Sequence, residues 1–133
     1  MSTRSPASAS TASTRVLELD LQAALLGEVP KRFETLRLWR RQVGMAEVRG
    51  RVVRFGVPGQ ADLHGFDDEG RAYEVELKGV GGRLSDEQVR WCAFCRGMKV
   101  RYALLQARKD ETMQQTIDRW VQELRTLVEY GAP

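Results

Sequence analysis

Cysteine and histidine are scarce in this chain of 133 residues. It has two cysteines, Cys92 and Cys95, and a single histidine, His64. Cys-x-x-Cys spacing occurs in zinc and redox sites, but a structural zinc site takes four Cys or His ligands and the chain has no second cysteine pair. We therefore expect two free thiols on a helix, at least one of them packed inward, in a reducing cytoplasmic compartment.

Long apolar runs are also missing. No segment approaches the roughly 18 residues that a membrane-spanning helix needs, and the first residues lack the apolar core of a secretory signal peptide. We expect no membrane partner. The composition, 42% hydrophobic and 29% charged, is typical of a soluble globular protein, and the length suits one domain with one core.

The first 14 residues have almost no large apolar side chains and are rich in Ser, Thr and Ala. Such a segment cannot bury enough surface to offset the entropy of the chain. We expect a disordered tail over residues 1–14 and a single folded domain over residues 15–133.

Two short runs of alternating apolar and polar residues lie in the middle of the chain, at 61–66 and 73–78. This alternation predicts two half-buried strands, and the acidic, glycine-containing segment 67–71 between them predicts a hairpin loop. Symmetry about Glu69 then places Asp62 opposite Glu76. The same register places His64 opposite Glu74, and Gln60 opposite Lys78.

This register brings three charged groups onto one face of the sheet. Residues two apart on a strand share a face, so Asp62, Glu76 and Lys78 converge. A divalent cation held by the two carboxylates, with the lysine beside it to polarise a water or a phosphate, explains the arrangement. The alternative is a solvated hairpin face with an incidental Glu-Lys pair.

The rest of the chain predicts helices and strands around this hairpin. A helix over 16–27 carries Glu18 and Gln22 on one face, and a capping box of Ser85 and Gln88 begins a helix that runs to Arg96. Gly44 and Gly50 bracket a connection. The other predicted elements are strands at 36–43, 51–56 and 99–106 and a terminal helix at 110–129. The order hairpin, helix, strand predicts a mixed sheet whose last strand runs parallel to 73–78, and Met113, Ile117, Trp120, Val121, Leu124 and Val128 form the apolar face of the terminal helix.

Basic residues are concentrated between Lys31 and Arg54, where eight of them stand against two acidic residues. A basic stripe beside an acidic cluster is typical of an enzyme that holds a polyanion and binds metal at the point of reaction. The alternative is an ordinary solvated strand surface.

Taken in order, the motifs resemble those of small stand-alone VRR-NUC proteins of the PD-(D/E)xK nuclease superfamily, which are found in phages and bacteria. The matching pieces between Glu18 and Gln106 are Glu-x-x-x-Gln, Leu-Trp-Arg, Val-Gly-Met, Val-Arg-Phe-Gly, Gly-x-x-Asp-Leu-x-Gly, Glu-x-Lys and Leu-Ser-x-x-Gln. Two positions depart from the family pattern: Ala61 replaces the proline of the superfamily motif, and Arg40-Arg41-Gln42 stands where many relatives have Arg-Asn-Asn.

The resemblance implies an α/β fold with a restriction-endonuclease-like core, a mixed central sheet of about four strands flanked by helices. It also implies a Mg²⁺- or Mn²⁺-dependent endodeoxyribonuclease that resembles Holliday-junction resolvases in its preference for DNA structure. Such an enzyme works as a homodimer on branched DNA, in the cytoplasm of a bacterial cell or a phage-infected host.

Residue by residue, the resemblance implies Asp62 and Glu76 as metal ligands, with the main-chain carbonyl of Leu77 as a further ligand. Lys78 orients or activates the attacking water, and Gln88 is the helix partner of the site. Glu18 is the acidic residue of the first helix, with Asp20 as its rival. The residues expected to bind DNA are Arg37, Arg40, Arg41, Arg51, Arg54 and Arg83.

Two other functions are compatible with these residues. A DNA-binding module could keep the nuclease fold without cleaving, and a structural subunit could use the terminal helix as its interface. Cleavage of DNA distinguishes the first from an enzyme, and size-exclusion chromatography with and without DNA distinguishes the second.

Overall fold

A four-stranded mixed sheet lies at the centre of the fold. The computed structural model describes residues 6–42 and 44–131, which form helices α1 (Pro6–Arg32), α2 (Asp86–Gly97) and α3 (Met113–Tyr130) and strands β1 (Leu36–Arg40), β2 (Gly44–Val48), β3 (Arg51–Phe55), β4 (Leu63–Asp67), β5 (Ala72–Lys78) and β6 (Arg101–Gln106). The order in the central sheet is β1-β4-β5-β6. This mixed sheet flanked by helices confirms the predicted architecture.

The hairpin register is the one predicted from symmetry about Glu69. Leu63 pairs with Val75 and His64 with Glu74 in antiparallel β4 and β5, and β6 runs parallel to β5. Asp62 lies just before the first residue of β4, and Gln60 lies further outside the ladder. The turn is closed by the backbone N–H of Gly70, which donates to the carbonyl of Asp67 at 3.1 Å.

The prediction of a connection between Gly44 and Gly50 is wrong. Residues 44–48 form β2, which pairs with β3 in a separate two-stranded ribbon. Arg49 and Gly50 both have positive φ, 52° and 76°, as a two-residue hairpin turn of the primed type requires. The predicted strand at 36–43 ends at Arg40 as β1, and Val43 lies outside the described residues.

The first helix is longer than predicted. α1 begins at Pro6 rather than near Val16, and residues 1–5 are outside the described part. The division into a disordered tail over residues 1–14 and a folded domain over residues 15–133 stays a prediction. Gly27 and Pro30 do not end α1, because Val29 in the last turn is fully buried and anchors the helix to the core. Proline in the last turn forgoes only one helical hydrogen bond.

The sheet separates two clusters of buried side chains. Tyr73, Val75 and Leu77 of β5 face a main core formed with α1 and α3, while a smaller cluster of Ala61, Cys92, Cys95 and Tyr102 lies under α2. Both cysteines are free and buried, as predicted. On α3, Ile117, Trp120, Val121 and Leu124 are buried and Val128 packs against the core, but Met113 is 40% exposed because it stands at the first turn.

Helix α2 begins as the sequence predicts. Ser85 is the N-cap and its hydroxyl accepts from the backbone N–H of Gln88, while the side chain of Gln88 returns the bond to Ser85. Two backbone N–H groups at the start of the helix, those of Ser85 and Gln88, thereby have a hydrogen-bond partner.

None of the described helices is long and apolar enough to cross a membrane.

Candidate active site

Two carboxylates meet where β4 begins beside the central strand β5. Asp62 is fixed at both ends: its carbonyl accepts from the backbone N–H of Arg41 at 2.8 Å, and its Oδ2 accepts from the backbone N–H of Leu77 at 3.0 Å. Glu76 lies on β5 and is 2% exposed. Because β5 is paired on both sides, its backbone is rigid, and the two side chains are held close together.

The carboxylate of Glu76 is in an unfavourable place for a negative charge. Burial, and then the neighbouring Asp62, raise the pKa of Glu76 to about 8, although Lys78 acts in the opposite direction. Its Oε2 atom is buried and has no hydrogen-bond partner among the described groups. A buried, unpartnered carboxylate oxygen beside a second carboxylate is typical of a site for a cation.

Lys78 and Gln88 both contact the other oxygen of Glu76. The Nζ atom of Lys78 is 3.7 Å from Oε1 of Glu76, and Nε2 of Gln88 donates to the same oxygen at 3.0 Å. The structure therefore brings together four of the residues that the sequence placed at the site: Asp62, Glu76, Lys78 and Gln88. The capping role of Gln88 and its contact with Glu76 coexist in one side chain.

Glu18 approaches the site from α1. Its Oε1 accepts from the backbone N–H of Gly79, next to Lys78, at 2.6 Å. A cavity of about 170 Å³ is lined by Glu18, Leu19, Gln22, Asp62 and Leu77. Asp20, the alternative acidic residue, is exposed and does not line this cavity, so the face shared by Glu18 and Gln22 is the one turned to the site.

The donor set fits a hard divalent cation. Within the described ranges, no three His, Cys, Asp or Glu side chains are grouped to hold a metal. Mg²⁺ commonly uses one or two protein carboxylates and completes its shell with waters and substrate phosphate oxygens. Asp62, the unpartnered oxygen of Glu76 and a main-chain carbonyl at Leu77 match that requirement.

Comparison with protein-family models decides the family. The model of the VRR-NUC domain matches residues 29–109. The chain belongs to the VRR-NUC family. It is thus a nuclease domain of the PD-(D/E)xK type, and its mixed sheet is consistent with the restriction-endonuclease-like fold. Neither the search of curated proteins nor the search of solved structures gave a match.

The matched region holds most of the site. Asp62, Glu76, Lys78 and Gln88 lie inside residues 29–109, whereas Glu18 lies outside it. The contribution of Glu18 to this VRR-NUC protein therefore rests on its hydrogen bond to Gly79 and on the cavity that it shares with Asp62.

The guanidinium group of Arg41 is bound to a carboxylate of the central strand. Both terminal nitrogens of its guanidinium bind the carboxylate of Glu74, which is also bonded by the indole N–H of Trp91 at 2.6 Å. The two side chains are 14% and 6% exposed. Arg41 therefore forms a buried ion pair, because Glu74 on the central strand needs a counter-charge, and its expected contact with DNA stays a prediction.

Sequence reasoning missed Trp91 and the role of Glu74. The pairing of Glu74 with His64 follows from the register. The ion pair of Glu74 with Arg41, however, spans the sheet, and the indole of Trp91 reaches Glu74 from α2. Burial and the charge of Arg41 lower the pKa of His64, opposed by Glu74. No local pattern indicates these long-range contacts.

The remaining arginines lie on different elements of the chain. Arg40, Arg51 and Arg83 are exposed, with Arg51 on the separate ribbon, and the side chain of Arg54 is outside the described part. Arg37 is exposed but uses one nitrogen to bind the carbonyls of Phe33 and Leu36, at 2.9 and 2.7 Å. Their contact with DNA stays a prediction.

The glycines of the Gly-x-x-Asp-Leu-x-Gly motif of this VRR-NUC domain have structural reasons. Gly59 has φ of 87°, and a Cβ there would overlap the carbonyl of Glu87 at the start of α2. A Cβ at Gly65 would overlap the carbonyl of Arg37 on β1. Both glycines allow the close packing that fixes Asp62 between them. Ala61, in the place of the superfamily proline, is fully buried under α2.

Proposed function

We propose that this VRR-NUC protein is a Mg²⁺- or Mn²⁺-dependent DNA endonuclease that selects branched DNA. The observation that carries the proposal is the row formed by Asp62, Glu76 and Lys78. In it, a buried carboxylate oxygen has no hydrogen-bond partner among the described residues, and a lysine ammonium lies 3.7 Å from the other oxygen of the same carboxylate.

Each residue of the row has a role in phosphodiester hydrolysis. Asp62, Glu76 and the carbonyl of Leu77 are suited to hold the cation, which when bound neutralises charge on the scissile phosphate and lowers the pKa of water. Lys78 orients the attacking water through its ammonium group. Gln88 fixes the rotamer of Glu76 through the bond to Oε1.

Glu18 acts on the row through the backbone. Its carboxylate holds the N–H of Gly79 and thereby fixes the strand end from which Lys78 projects. Glu18 and Gln88 are thus positioning residues, and we expect their loss to affect the rate of cleavage more than the affinity for DNA.

Exposed arginines supply the affinity for the DNA backbone. Arg40, Arg51 and Arg83 are free of ion pairs among the described side chains and can neutralise phosphates, which gives affinity that is sensitive to salt and largely independent of sequence. Two symmetric cuts in a junction require two sites, so we propose a homodimer, acting in the cytoplasm.

Cleavage of labelled DNA tests the proposal. The wild-type protein is incubated with a four-way junction and with a linear duplex of matched sequence, in Mg²⁺, Mn²⁺ or EDTA. We expect metal-dependent cutting of the junction in preference to the duplex. Equal cutting of both would contradict the preference for branches, and tight binding with no cutting in either metal would replace the enzyme by a catalytically silent DNA-binding module.

A further inference from the structure

Three aromatic side chains lie together on the sheet face that carries the carboxylates. Trp39 on β1 is directly opposite His64 on β4, and Phe66 is two residues further along β4. The indole of Trp39 is 5.3 Å from the ring of His64 and 5.3 Å from the ring of Phe66, edge-on in both cases. We refer to Trp39, His64 and Phe66 as the aromatic patch.

The aromatic patch is open to solvent. Trp39 is 41% exposed and Phe66 is 53% exposed, whereas Trp120 and Tyr73 in the main core are each 1% exposed. Exposed aromatic side chains that pack against one another are typical of interaction surfaces. Because aromatic pairing already fixes the rings, a ligand there meets a preformed surface.

The aromatic patch is continuous with the candidate active site. Alternation along β4 places His64 and Phe66 on one face, about 6.6 Å apart along the strand, and Asp62 lies just before this strand. His64 is paired with Glu74, and Glu76, two residues further along β5, shares the face of Glu74 and lies beside Asp62, whose Oδ2 accepts from the backbone N–H of Leu77. The exposed Arg37, directly opposite Phe66, adds positive charge at the far end.

From this arrangement we propose that the aromatic patch stacks unpaired bases of the DNA strand beside the scissile phosphate. The preferred substrate then contains single-stranded or unstacked nucleotides next to the cut, as at a flap or an open branch point. The proposal rests on the nuclease function above and specifies its substrate. Aromatic faces stack with every base, so selection is by exposed bases and not by sequence.

The position of the aromatic patch favours DNA over a second copy of the chain. A protein partner bound to Trp39 and Phe66 would also cover the row of Asp62, Glu76 and Lys78 and restrict access to the two carboxylates. A flexible nucleic-acid strand instead has to pass across the aromatic patch to bring its phosphate to that row, and Arg37 complements its charge.

Binding of labelled oligonucleotides tests the proposal. Fluorescence anisotropy in EDTA measures the affinity for a single strand and for a duplex of the same sequence, without cleavage. We expect Trp39→Ala, and separately Phe66→Ala, to weaken single-strand binding about tenfold and to leave duplex binding nearly unchanged. Trp39→Phe should retain single-strand binding. Tyr130→Ala, at the 78% exposed Tyr130 of α3, is the matched control and should bind as wild type.

Three results would overturn the proposal. One is wild-type affinity for the single strand in both alanine variants. Another is an equal loss for single strand and duplex, which would indicate a general effect on binding. The third is dissociation of a dimer by Trp39→Ala in sedimentation velocity, which would make the aromatic patch an interface between copies.

The two proposals fail in different ways. If the wild-type protein cuts DNA and Trp39→Ala binds and cuts flapped DNA equally well, the nuclease stands and the stacking surface is wrong. If wild type cuts no DNA in either metal while Trp39→Ala still loses single-strand binding selectively, the stacking surface stands and the nuclease is wrong.

Discussion

Gln88 on α2 donates a hydrogen bond from Nε2 to Oε1 of Glu76 on β5, at 3.0 Å. Its own Oε1 accepts from the backbone N–H of Ser85 at 2.8 Å. One glutamine thus closes the capping box of the helix and holds one oxygen of the carboxylate pair. The start of α2 and the orientation of Glu76 are therefore determined together.

Replacing Gln88 separates these two roles. Glutamate at this position keeps the acceptor that the capping box uses but loses the donor to Glu76. We expect Gln88→Glu to keep α2 helical by circular dichroism and to slow metal-dependent cleavage by about tenfold or more. Ser85→Ala is the control: it removes the cap at a cost of about 1 kcal/mol of stability but leaves the cleavage rate unchanged. A rate loss in Ser85→Ala as large as that in Gln88→Glu would contradict this assignment.

Metal binding should stabilise the fold through the carboxylate pair. Because Asp62 and Glu76 repel one another when both are charged, we expect Mg²⁺ to raise the melting temperature of wild type by about 2–5 °C over the value in EDTA. Asp62→Asn removes one charge and keeps an acceptor for the N–H of Leu77. It should melt no lower than wild type in EDTA and show no rise with Mg²⁺. An equal rise in wild type and Asp62→Asn would place the metal elsewhere.

Local sequence patterns predict much of this structure. The hairpin register follows from alternation and from the acidic-glycine turn, because both act over a few residues, and it correctly paired His64 with Glu74. The capping box of Ser85 and Gln88 is likewise a local device. The residues implied by the family motif, Asp62, Glu76 and Lys78, meet because that register holds.

What the sequence could not predict depends on distant partners. The ion pair between Arg41 and Glu74 and the hydrogen bond from Trp91 to Glu74 join three distant parts of the chain. Helix α1 continues past Gly27 because Val29 is buried in the main core, a contact with residues that are distant in sequence. The β2–β3 ribbon is not evident from the sequence because glycines such as Gly44 and Gly50 are typical of breaks, whereas Arg49 adopts a positive φ that few residues other than glycine accept.

Asp67 at the end of β4 should make the free energy of unfolding depend on pH in the acidic range. Burial alone would raise its pKa, but hydrogen bonds from the hydroxyl of Tyr73 and from Arg71 lower the pKa of Asp67 to about 2. Since this value is below that of the unfolded chain, the contribution is present above about pH 4 and is lost as the pH falls towards about 2. It amounts to about 2 kcal/mol.

Urea unfolding measures this contribution. Asp67→Asn should be less stable than wild type by about 2 kcal/mol at pH 7, and the difference should narrow as the pH falls from 7 to 3. Tyr73→Phe removes the hydroxyl that donates to Asp67 at 2.6 Å and should show a smaller loss with the same trend. A difference between Asp67→Asn and wild type that stays constant with pH would show that the charge of Asp67 is not responsible.

Arg40 and Arg41 are neighbours with opposite expected roles. Arg41→Ala leaves Glu74 buried without its counter-charge, so we expect a loss of about 3 kcal/mol in the free energy of unfolding. Arg40→Ala removes an exposed charge and should change stability by less than about 0.5 kcal/mol. It should instead weaken DNA binding and reduce the slope of log affinity against log salt by about one. Equal stabilities of the two variants would contradict the buried ion pair.

Single-turnover cleavage in Mg²⁺ by wild type, Lys78→Ala and Asp62→Asn, with DNA affinity measured in EDTA, tests the central claim most directly. If the row of Asp62, Glu76 and Lys78 is the catalytic centre, Lys78→Ala should cut at least about 100-fold more slowly than wild type. Asp62→Asn should lose metal-dependent cutting, and both variants should still bind DNA. Cutting by either variant at the wild-type rate would show that hydrolysis, if it occurs, takes place at another site.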